Sequence, residues 1–331
     1  MELTWLDAAD LDQRDLAGAV AVLESARLGD CPHELPRTVA AYAADLHHGW
    51  DGEPSRAAVT HDEHGRVVGV LEVHLPRRDN LHMGYVEPTV DPLVRRQGLG
   101  RELFEAGVAV LRKEGRTLVL AECFDSPRSA GFAKALGLDQ AIDSVKRTQD
   151  VRCIDQARLD REFAAAGKAA ADYELVRLPS RTPDELMPAV VTMITAINDA
   201  PTDDLDVEDE VFSAERVRAF QTAQEARGRR IYQLAARHRT TGVLAGHTVT
   251  GVESDQPFYG SQFDTSVLGE HRGHRLGLLL KIAMLRWLAE TEPQLRMLET
   301  WNAASNEHMI AVNEILGYEV VATATGYQRH L

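Results

Sequence analysis

The apolar residues of the first half of the chain follow two periods, one typical of helices and one typical of strands. A spacing of three to four residues predicts helices over residues 15–27 and 36–49, and again at Leu99, Leu103, Phe104, Val108 and Leu111. Short apolar runs bounded by polar turns predict strands over residues 57–60, 67–73, 83–90 and 118–120. A further helix over residues 126–136 is predicted to stop at Gly137.

The second half repeats this order of elements. Strands are predicted over residues 173–176, 231–235 and 241–249, and helices over residues 185–197 and 214–226. Three short segments also recur: Gly69-Val70-Leu71 returns after 173 positions, the segment at Arg95 after 177 and Leu136-Gly137 after 180. Landmarks in the same order at nearly constant separation predict that the chain is two copies of one domain.

The duplication predicts three regions along the chain. Residues 1–150 are interpreted as an N-terminal domain and residues 172–331 as a C-terminal domain of the same kind. Residues 151–171 between them are rich in Ala and charged residues without a wide apolar face, and we interpret them as a helical linker.

Composition and charge exclude several classes of protein. Among 331 residues, 44% are hydrophobic and the formal net charge is −15, which excludes wholesale disorder and argues against nucleic-acid binding. No apolar run approaches the roughly 18–20 residues that span a bilayer, and the N-terminus resembles no signal peptide. The three cysteines fit neither a metal site nor a disulfide framework. We expect an acidic cytoplasmic protein with no metal and no nucleic-acid or membrane partner.

The segment from Arg95 to Gly100 has the chemistry of an anion-binding loop. It places two glycines before a helix, where unpaired backbone N–H groups and the helix dipole favour a phosphate. A tight strand-to-helix turn would show the same pattern. A nucleotide triphosphatase loop is excluded because the Gly-Lys-Ser/Thr ending is missing. A Rossmann fingerprint is disfavoured because Leu103 stands where the third glycine would be.

In these residues the chain resembles the GNAT family of N-acetyltransferases. Val90-Asp91-Pro92 followed by residues 95–101 is similar to the acetyl-CoA pyrophosphate loop of that family, and residues 270–277 are similar to a second copy of it. The tandem layout is similar to that of mycothiol synthase and its relatives. The resemblance implies an α/β (α+β) fold with two GNAT-like domains in tandem, each a mixed twisted central sheet flanked by helices. Two splayed central strands would hold the pantetheine arm of acetyl-CoA between them.

The resemblance also implies which residues bind acetyl-CoA. The backbones of Val90 and Val267 would pair with pantetheine, and two loops would hold the pyrophosphate. The cofactor-binding residues expected in this way are Val90, Arg95, Arg96, Gln97, Gly98, Leu99, Gly100, Arg101, Val267, Arg272, Gly273, His274, Arg275, Leu276, Gly277, Leu278 and Asn306. Arg275 departs from the family pattern because it replaces the first glycine. It either donates its backbone N–H and reaches a phosphate with its side chain, or it occludes the second loop.

Two carboxylates at equivalent positions are candidates for the general base. Glu87 and Asp264 each lie eight residues before the loop arginine, on the strand that leads to the loop. Either could accept a proton or hold a cationic substrate, and either could instead be a solvated strand end or a buried ion pair. The polar neighbours Gln262 and Thr265 favour function at Asp264. Pro88 blocks strand hydrogen bonding and is a candidate cause of the splay.

Two asparagines add polar groups to the second copy. We align residues 301–303 with residues 121–123, so that Asn302 falls on Glu122. The resemblance implies that Asn306 bonds pantetheine and that a tyrosine seven residues later protonates the thiolate, but Asn313 stands there and Ala133 in the first copy. The predicted catalytic residues are therefore Asp264, Glu87, Asn302 and Asn313. We expect the second copy to perform the chemistry and the first to bind acetyl-CoA structurally.

Two polar features around the loops stay open. The acidic run from residue 203 to residue 210 falls where the family builds part of its acceptor wall; it is either a solvated loop or a surface that attracts a cationic amine. His271 and His274 in the second loop either contact a phosphate of CoA or are surface residues, and we interpret them as surface residues.

The resulting hypothesis is an acetyl-CoA-dependent N-acetyltransferase that acts on a small-molecule amine. Direct attack in a ternary complex is implied by the resemblance. The alternatives are a non-catalytic acetyl-CoA-binding sensor or scaffold, and a protein or peptide acetyltransferase. We expect a monomer or a homodimer.

Overall fold

The computed structural model describes residues 2–331, which fold into two compact units. We call them the first unit and the second unit. The first unit contains the chain up to Asp143, together with Asp203–Asp209 and Ala322–Leu331. The second unit contains Ser144–Thr202 and Glu210–Val321. Each unit therefore takes up segments that lie in the other half of the sequence.

The same order of helices and strands occurs twice along the chain. The first repeat comprises β1 (Thr4–Trp5), α1 (Gln13–Asp30), α2 (Val39–His48), β2 (Arg56–His61), β3 (Val67–His74), β4 (Met83–Val90), α3 (Leu99–Lys113), β5 (Leu118–Phe124), α4 (Pro127–Ala135) and β6 (Asp139–Asp150). The second comprises α5 (Gln156–Ala169), β7 (Tyr173–Leu178), α6 (Met187–Ile194), α7 (Ala214–Ala226), β8 (Arg229–His238), β9 (Leu244–Glu253), β10 (Tyr259–Val267), α8 (Leu276–Thr291), β11 (Met297–Ala303), α9 (Glu307–Ile315) and β12 (Glu319–His330).

Each unit has a mixed six-stranded sheet. In the first unit the strand order is β1-β2-β3-β4-β5-β12, and only β4 and β5 are parallel. In the second unit the order is β6-β11-β10-β9-β8-β7, and only β10 and β11 are parallel. The structure thus confirms the predicted fold class, a mixed sheet flanked by helices in each unit.

The last strand of each sheet comes from the other repeat. Strand β12 pairs with β5, from Ala324 opposite Phe124 to His330 opposite Leu118. Strand β6 pairs with β11 from Ser144 onwards. The units consequently differ from the contiguous division 1–150, 151–171 and 172–331. The physical reason is that β6 and β12 are equivalent strands, so either can complete the same kind of sheet edge, and periodicity does not distinguish them.

The segment interpreted as a linker is a helix that belongs to a core. Helix α5 (Gln156–Ala169) is capped by Asp155, whose side chain accepts a hydrogen bond from the Arg158 N–H. Leu159 and Ala166 are buried in the main core of the second unit, against the apolar residues of α8. The helix was expected, but it packs through small residues that a search for a wide apolar face overlooks.

Helices cover both faces of each sheet. In the first unit, α1 and α2 pack on one face through Leu16 and Tyr42, and α3 and α4 on the other through Phe104 and Ala133. The ends of α4 follow from sequence: Ser126 and Ser129 form a capping box before it, and Gly137 after it has φ of +69°.

Candidate functional site

The two parallel strands of each unit separate after three paired residues. In the first unit the pairing of β4 with β5 ends at Tyr85 opposite Leu120, although β4 continues to Val90. In the second unit the pairing of β10 with β11 ends at Ser261 opposite Glu299. Each sheet therefore contains a wedge-shaped gap, which we call the first gap and the second gap.

Pro88 does not cause the separation of the strands. The second unit carries Thr265 at the equivalent place, and its strands separate after the same number of pairs. Pro88 also leaves the β3–β4 ladder in register, opposite Leu71. The proposed link between this proline and the splay is therefore wrong.

Pro88 and Thr265 differ in what they offer to the gaps. The N–H of Asp91 donates to the Val68 carbonyl, and that of Leu268 donates to the Ala245 carbonyl. Along an antiparallel strand the N–H groups point alternately towards and away from the paired strand. Three residues earlier, the nitrogens of residues 88 and 265 therefore point away from β3 and β9. Both nitrogens face the gap. Thr265 presents an N–H group there, whereas proline has none.

The loops before α3 and α8 have the same backbone conformation, but the arginine and the glycine that adopt positive φ have exchanged positions. In the first loop Arg96 has φ of +69° and Gly98 +95°; in the second Gly273 has +85° and Arg275 +56°. A left-handed conformation costs a non-glycine residue about 1–2 kcal/mol, so each loop carries this cost once. Arg275 therefore keeps the loop conformation that its glycine counterpart has.

The first arginine of each loop braces the loop itself. Arg95 donates from Nε to the Val90 carbonyl over 3.1 Å and forms a two-pronged ion pair with Asp30. Arg272 donates in the same way to the Val267 carbonyl over 3.1 Å and pairs with Asp199. Each of these carbonyls thus accepts one hydrogen bond from its loop arginine, and the N–H groups of Val90 and Val267 face the gap.

The remaining cations of the two loops differ in their partners. Arg96 is exposed and has no hydrogen-bond or ion-pair partner within residues 2–331. Arg275, by contrast, donates to Glu162 on α5 over 2.8 Å. Arg101 donates to the carbonyl of Ala135 over 2.6 Å. The first loop therefore offers a phosphate an unpaired guanidinium, while the second offers mainly backbone N–H groups.

The histidines of the second loop have structural contacts. His271 Nδ1 lies 2.9 Å from the hydroxyl of Tyr173, and His274 Nδ1 lies 3.3 Å from the carbonyl of Ala169. Both rings also stack edge-on or tilted against Tyr173. The contacts tie the loop to the core of the second unit, beyond the surface role that the sequence indicated.

Glu87 lies in the first gap within a group of carboxylates. Glu72 on β3 is directly opposite it, and Glu122 on β5 lies on the same face of the sheet. Solvent reaches Glu87, but protein surrounds it on most sides, and this burial together with the charge of Glu72 raises the pKa of Glu87 to about 7. Burial also raises the pKa of Glu122.

One cation and one tyrosine complete this acidic group. The Arg37 guanidinium lies 3.6 Å from the Glu72 carboxylate, and burial outweighs this pairing so that the pKa of Glu72 is raised. The ring of Tyr42 on α2 is fully buried 5.5 Å from the Arg37 guanidinium. Sequence reasoning missed these residues, although a lone Glu72 inside the apolar run of β3 is a signal that could have found them.

Asp264 lies in the second gap on a β-bulge. Gln262 faces Thr250 and Thr265 faces Thr248, so β10 has one residue more than β9 between these pairs. Burial, with a smaller contribution from the charge of Glu210, raises the pKa of Asp264 to about 6. A carboxyl group with this pKa is largely ionised at pH 7 and still a useful base.

The polar neighbours of Asp264 hold the bulge in place. The amide nitrogen of Gln262 donates to the Val249 carbonyl over 2.6 Å and to the Thr248 hydroxyl over 3.0 Å, and Thr248 and Thr265 share a 2.7 Å hydrogen bond. Their polarity was interpreted as a sign of catalysis, but Gln262 is buried and satisfied. These side chains position Asp264 and make no group of their own available.

The predicted alignment of Asn302 with Glu122 is one residue out of register. In the two outer ladders Leu118 faces His330 and Met297 faces Asp150, which puts Trp301 at the level of Glu122 and Asn302 at the level of Cys123. The loop between β11 and α9 is one residue longer than its counterpart, and this hides the shift in the sequence. Asn302 consequently lies on the face covered by α8 and α9, opposite to that of Trp301.

Asn302 and Asn313 are brought together by a third residue that sequence reasoning missed. Asn313 Nδ2 donates to Asn302 Oδ1 over 2.7 Å, and Lys281 Nζ donates to Asn313 Oδ1 over 2.6 Å. Lys281 is 2% exposed and Asn313 0%. Burial lowers the pKa of Lys281 to about 7. A lysine within the apolar run from Leu278 to Ile282 was the available signal.

Asn306 acts as a helix cap. Its Oδ1 accepts from the Met309 N–H over 3.2 Å at the start of α9. The side-chain oxygen of Asn306 is therefore engaged with the backbone, and the amide nitrogen is the group left for the expected bond to pantetheine.

The acidic run belongs to the first unit. Leu205 and Val207 pack against the cluster of Met83, Leu118 and Leu120. Their neighbours are held by hydrogen bonds. The Asp206 carbonyl lies 3.0 Å from His82 Nε2, and the Asp206 N–H donates to Gln328. Glu208 exchanges hydrogen bonds with Asn80. The acidic residues among 203–209 are all exposed, as expected of a solvated loop, and a role in attracting a cationic amine stays a prediction. The apolar residues of the run anchor it to the first sheet.

Two further properties concern ligands and membranes. Within residues 2–331 there is no group of three or more His, Cys, Asp or Glu side chains suited to a metal ion. In the same range no helix is both long and apolar enough to cross a bilayer.

Comparisons with known proteins agree with this geometry. The profile of the Acetyltransferase (GNAT) family matches residues 23–138. A tandem GNAT protein from the clavulanic acid biosynthesis pathway is 30% identical, covers 99% of this chain and 98% of its own, and superposes with a TM-score of 0.80. A GCN5-related N-acetyltransferase from Sphaerobacter thermophilus is 13% identical, covers 99% and 95%, and has a TM-score of 0.68. A putative acetyltransferase from Pyrococcus horikoshii is 11% identical, covers 100% and 89%, and has a TM-score of 0.59. A comparison with curated protein sequences found no match.

Proposed function

The chain belongs to the GNAT family of N-acetyltransferases, and from that premise we propose that its second unit transfers an acetyl group from acetyl-CoA to the amine of a small molecule. One observation carries the proposal: the second gap has both a base of suitable pKa, Asp264, and a backbone N–H donor, Thr265. The first gap has a carboxylate at the equivalent place but a proline instead of the donor.

Both loops fit a diphosphate. Positions 98 and 273 have positive φ, and a Cβ at either glycine would meet no atom within 4 Å, so the backbone there is open to an approaching anion. Residues 97–100 and 274–278 present the unpaired N–H groups of the first turns of α3 and α8. When bound, acetyl-CoA supplies an acetyl thioester.

The reaction needs a neutral amine, a donor for the carbonyl oxygen and a leaving thiolate. Asp264 accepts the proton that the amine nitrogen loses as it attacks the acetyl carbon. The Thr265 N–H donates to the carbonyl oxygen as negative charge develops there. The carbon–sulfur bond then breaks and its electron pair stays on sulfur. Attack is direct and the acetyl group passes between two bound ligands, because the gap holds no cysteine that would form an acyl-enzyme.

Two matched substitutions test which unit reacts. We expect Asp264→Asn to lower kcat about 10²–10³-fold in a thiol-release assay with a panel of amines, because the base is lost while the shape is kept. Glu87→Gln is the matched change in the first unit and is expected to leave kcat within a factor of three or so. Loss of turnover in Glu87→Gln alone would overturn the assignment to the second unit.

A second candidate is favoured by the first gap. Its carboxylates Glu72, Glu87 and Glu122, with Arg37 as the neighbouring cation, suit the binding of a cationic amine. The first unit would then bind acetyl-CoA and an amine without fast turnover, and a protein without turnover in either unit is a sensor or scaffold. Thiol release that is independent of every amine tested would support that candidate.

A further inference from the structure

We propose that Lys281 is a positioning residue for the leaving group: it sets the direction of a hydrogen-bond chain, through Asn313 and Asn302, that presents a donor to the sulfur departing in the second gap. This inference rests on the proposed function of the second unit, and its test has a readout that does not depend on turnover.

The chain of three side chains is continuous and one-directional. Lys281 Nζ donates to Asn313 Oδ1 over 2.6 Å, and Asn313 Nδ2 donates to Asn302 Oδ1 over 2.7 Å. The ammonium also lies 4.8 Å from the ring centre of Tyr318. No carboxylate within the described residues 2–331 contributes to the pKa of Lys281, which burial alone lowers.

The lysine decides which way both amides point. An ammonium group has donors and no acceptor, so the oxygen of Asn313 must face it. The nitrogen of Asn313 then faces Asn302, whose oxygen accepts from it. The nitrogen of Asn302 is consequently left pointing outwards as a donor. An apolar residue at position 281 would remove this constraint and let both amides rotate.

The end of the chain lies beside the second gap. Asn302 is three residues beyond Glu299, the last residue of β11 that pairs with β10, and its side chain is half-buried. Its Nδ2 has no protein partner within residues 2–331, whereas the other side-chain polar atoms of Lys281, Asn313 and Asn302 are all hydrogen-bonded. A half-buried donor that lies beyond the point where the two strands separate is suited to a ligand atom that carries negative charge.

The first unit has no counterpart to this chain. The residues at the equivalent positions are Phe104, Ala133 and Cys123, and Phe104 packs in the apolar core. A buried lysine without a counter-ion destabilises the fold, since a charge removed from water is costly unless it is paired. Its presence in one copy, on the side of the leaving group, is explained by a role in that copy.

The chemical step keeps every proton accounted for. When the carbon–sulfur bond breaks, the electron pair stays on sulfur and the thiolate accepts a hydrogen bond from Asn302 Nδ2. Lys281 keeps its proton, and its charge polarises the two amides so that the terminal donor is stronger. The thiolate later takes a proton from water. The chain thus lowers the pKa of the departing thiol without acting as an acid.

Titration of Lys281 gives the chain a pH dependence. The groups that face the ammonium are Asn313 from α9, which does not titrate, and Tyr318 from the turn between α9 and β12, whose pKa burial raises so that it stays neutral. Because the pKa of Lys281 is lowered to about 7, the charge is present below pH 7 and is lost above it.

The direct test is the pKa of the thiol of bound CoA, followed by thiolate absorbance against pH. A free thiol has a pKa of about 8.5, and we expect Lys281→Met and Asn302→Ala each to raise that of CoA in the second unit by about one unit, which is tenfold. Phe104→Met is the matched change in the first unit and should leave it unchanged. If both units bind CoA, only one of the two thiols should respond.

Turnover provides the second readout. We expect Lys281→Met to lower kcat about tenfold at pH 6.5 with little change in the KM for acetyl-CoA, and the loss to shrink above pH 7. The double variant with Asn302→Ala should lose no more than the worse single variant, because the residues act as one unit.

Two results overturn the inference. One is an unchanged thiol pKa in Lys281→Met and Asn302→Ala; the other is a loss of kcat that is the same at all pH values and accompanied by a lower melting temperature. Lys281→Phe, which installs the residue of the first unit, replaces Lys281→Met if that variant does not fold. Retained turnover in Asp264→Asn would contradict the proposed function while leaving the thiol pKa readout intact.

Discussion

The two gaps have the same backbone and opposite distributions of polar groups. The first gap collects carboxylates on the face of α1 and α2, with Phe104 and Ala133 behind it on the other face. The second has Asp264, with Glu210 near enough to raise its pKa, an N–H at Thr265 that faces the gap, and the hydrogen-bonded side chains of Lys281, Asn313 and Asn302 on the face of α8 and α9. A duplicated fold can thus separate the holding of a cationic ligand from the chemistry of acyl transfer.

The largest effect is expected from removal of the strand that completes the first sheet. Truncation after residue 321 deletes the part of β12 that pairs with β5 and leaves β5 as an open edge. Amide protection of residues 118–124 should fall roughly hundredfold or more, while residues 297–303 of β11 serve as the internal control. Unchanged protection of β5 would contradict the observed pairing.

The next prediction places the proline of the first gap at the equivalent position of the second gap. Thr265→Pro removes the N–H that faces the second gap, and we expect kcat to fall about 10²–10³-fold in the thiol-release assay because one oxyanion donor is lost. Thr265→Val is the control, since it keeps the N–H and removes the hydroxyl that bonds to Thr248. A variant Thr265→Pro with normal kcat and a normal melting temperature would exclude this donor.

The pH profile separates the two candidate bases. If Asp264 is the base, kcat/KM should fall about tenfold per unit as the pH drops below about 6, since the raised pKa of Asp264 marks where it becomes protonated. If Glu87 is the base, the fall in kcat/KM should begin at a higher pH, because the pKa of Glu87 is raised to about 7. The fall in kcat/KM at low pH should disappear in Asp264→Asn, and its persistence there would point to another base.

The smallest effect concerns the cations of the two loops. Arg96→Ala should raise the Kd of acetyl-CoA about fivefold at the first loop, because an unpaired guanidinium is lost, and the difference should shrink at high salt. Arg275→Ala should change the Kd less, since that side chain is already paired with Glu162. Isothermal titration at two salt concentrations measures both, and an equal response would show that the loops do not differ.

The duplication, the loops and most elements were predictable because periodicity and glycines are local signals. Helix α7 and strand β4 have the predicted bounds, and Gly137 ends α4 as expected. The positions that escaped prediction depend on contacts between distant residues. The register of Asn302 is visible only in the ladders, and the pairing of β12 with β5 joins residues 200 positions apart.

The site was predictable to a similar degree. Glu87 and Asp264 both lie in the gaps, and Asn302 and Asn313 touch each other. Lys281 and Glu72 were not found, because a single charged residue in an apolar run does not reveal which partners the fold brings to it. Both signals were present in the sequence and become informative once the face of the element is known.

The exchange of β12 has a consequence for synthesis of the protein on the ribosome. Helices α1 to α4 and strands β1 to β5 emerge first, yet the sheet they form receives its sixth strand only from the last ten residues of the chain. Domains usually fold as they leave the ribosome, beginning at the N-terminus. Here the first unit reaches its complete sheet only after the whole second repeat has been synthesised, and until then the edge of β5 is open to chaperones or to a neighbouring nascent chain.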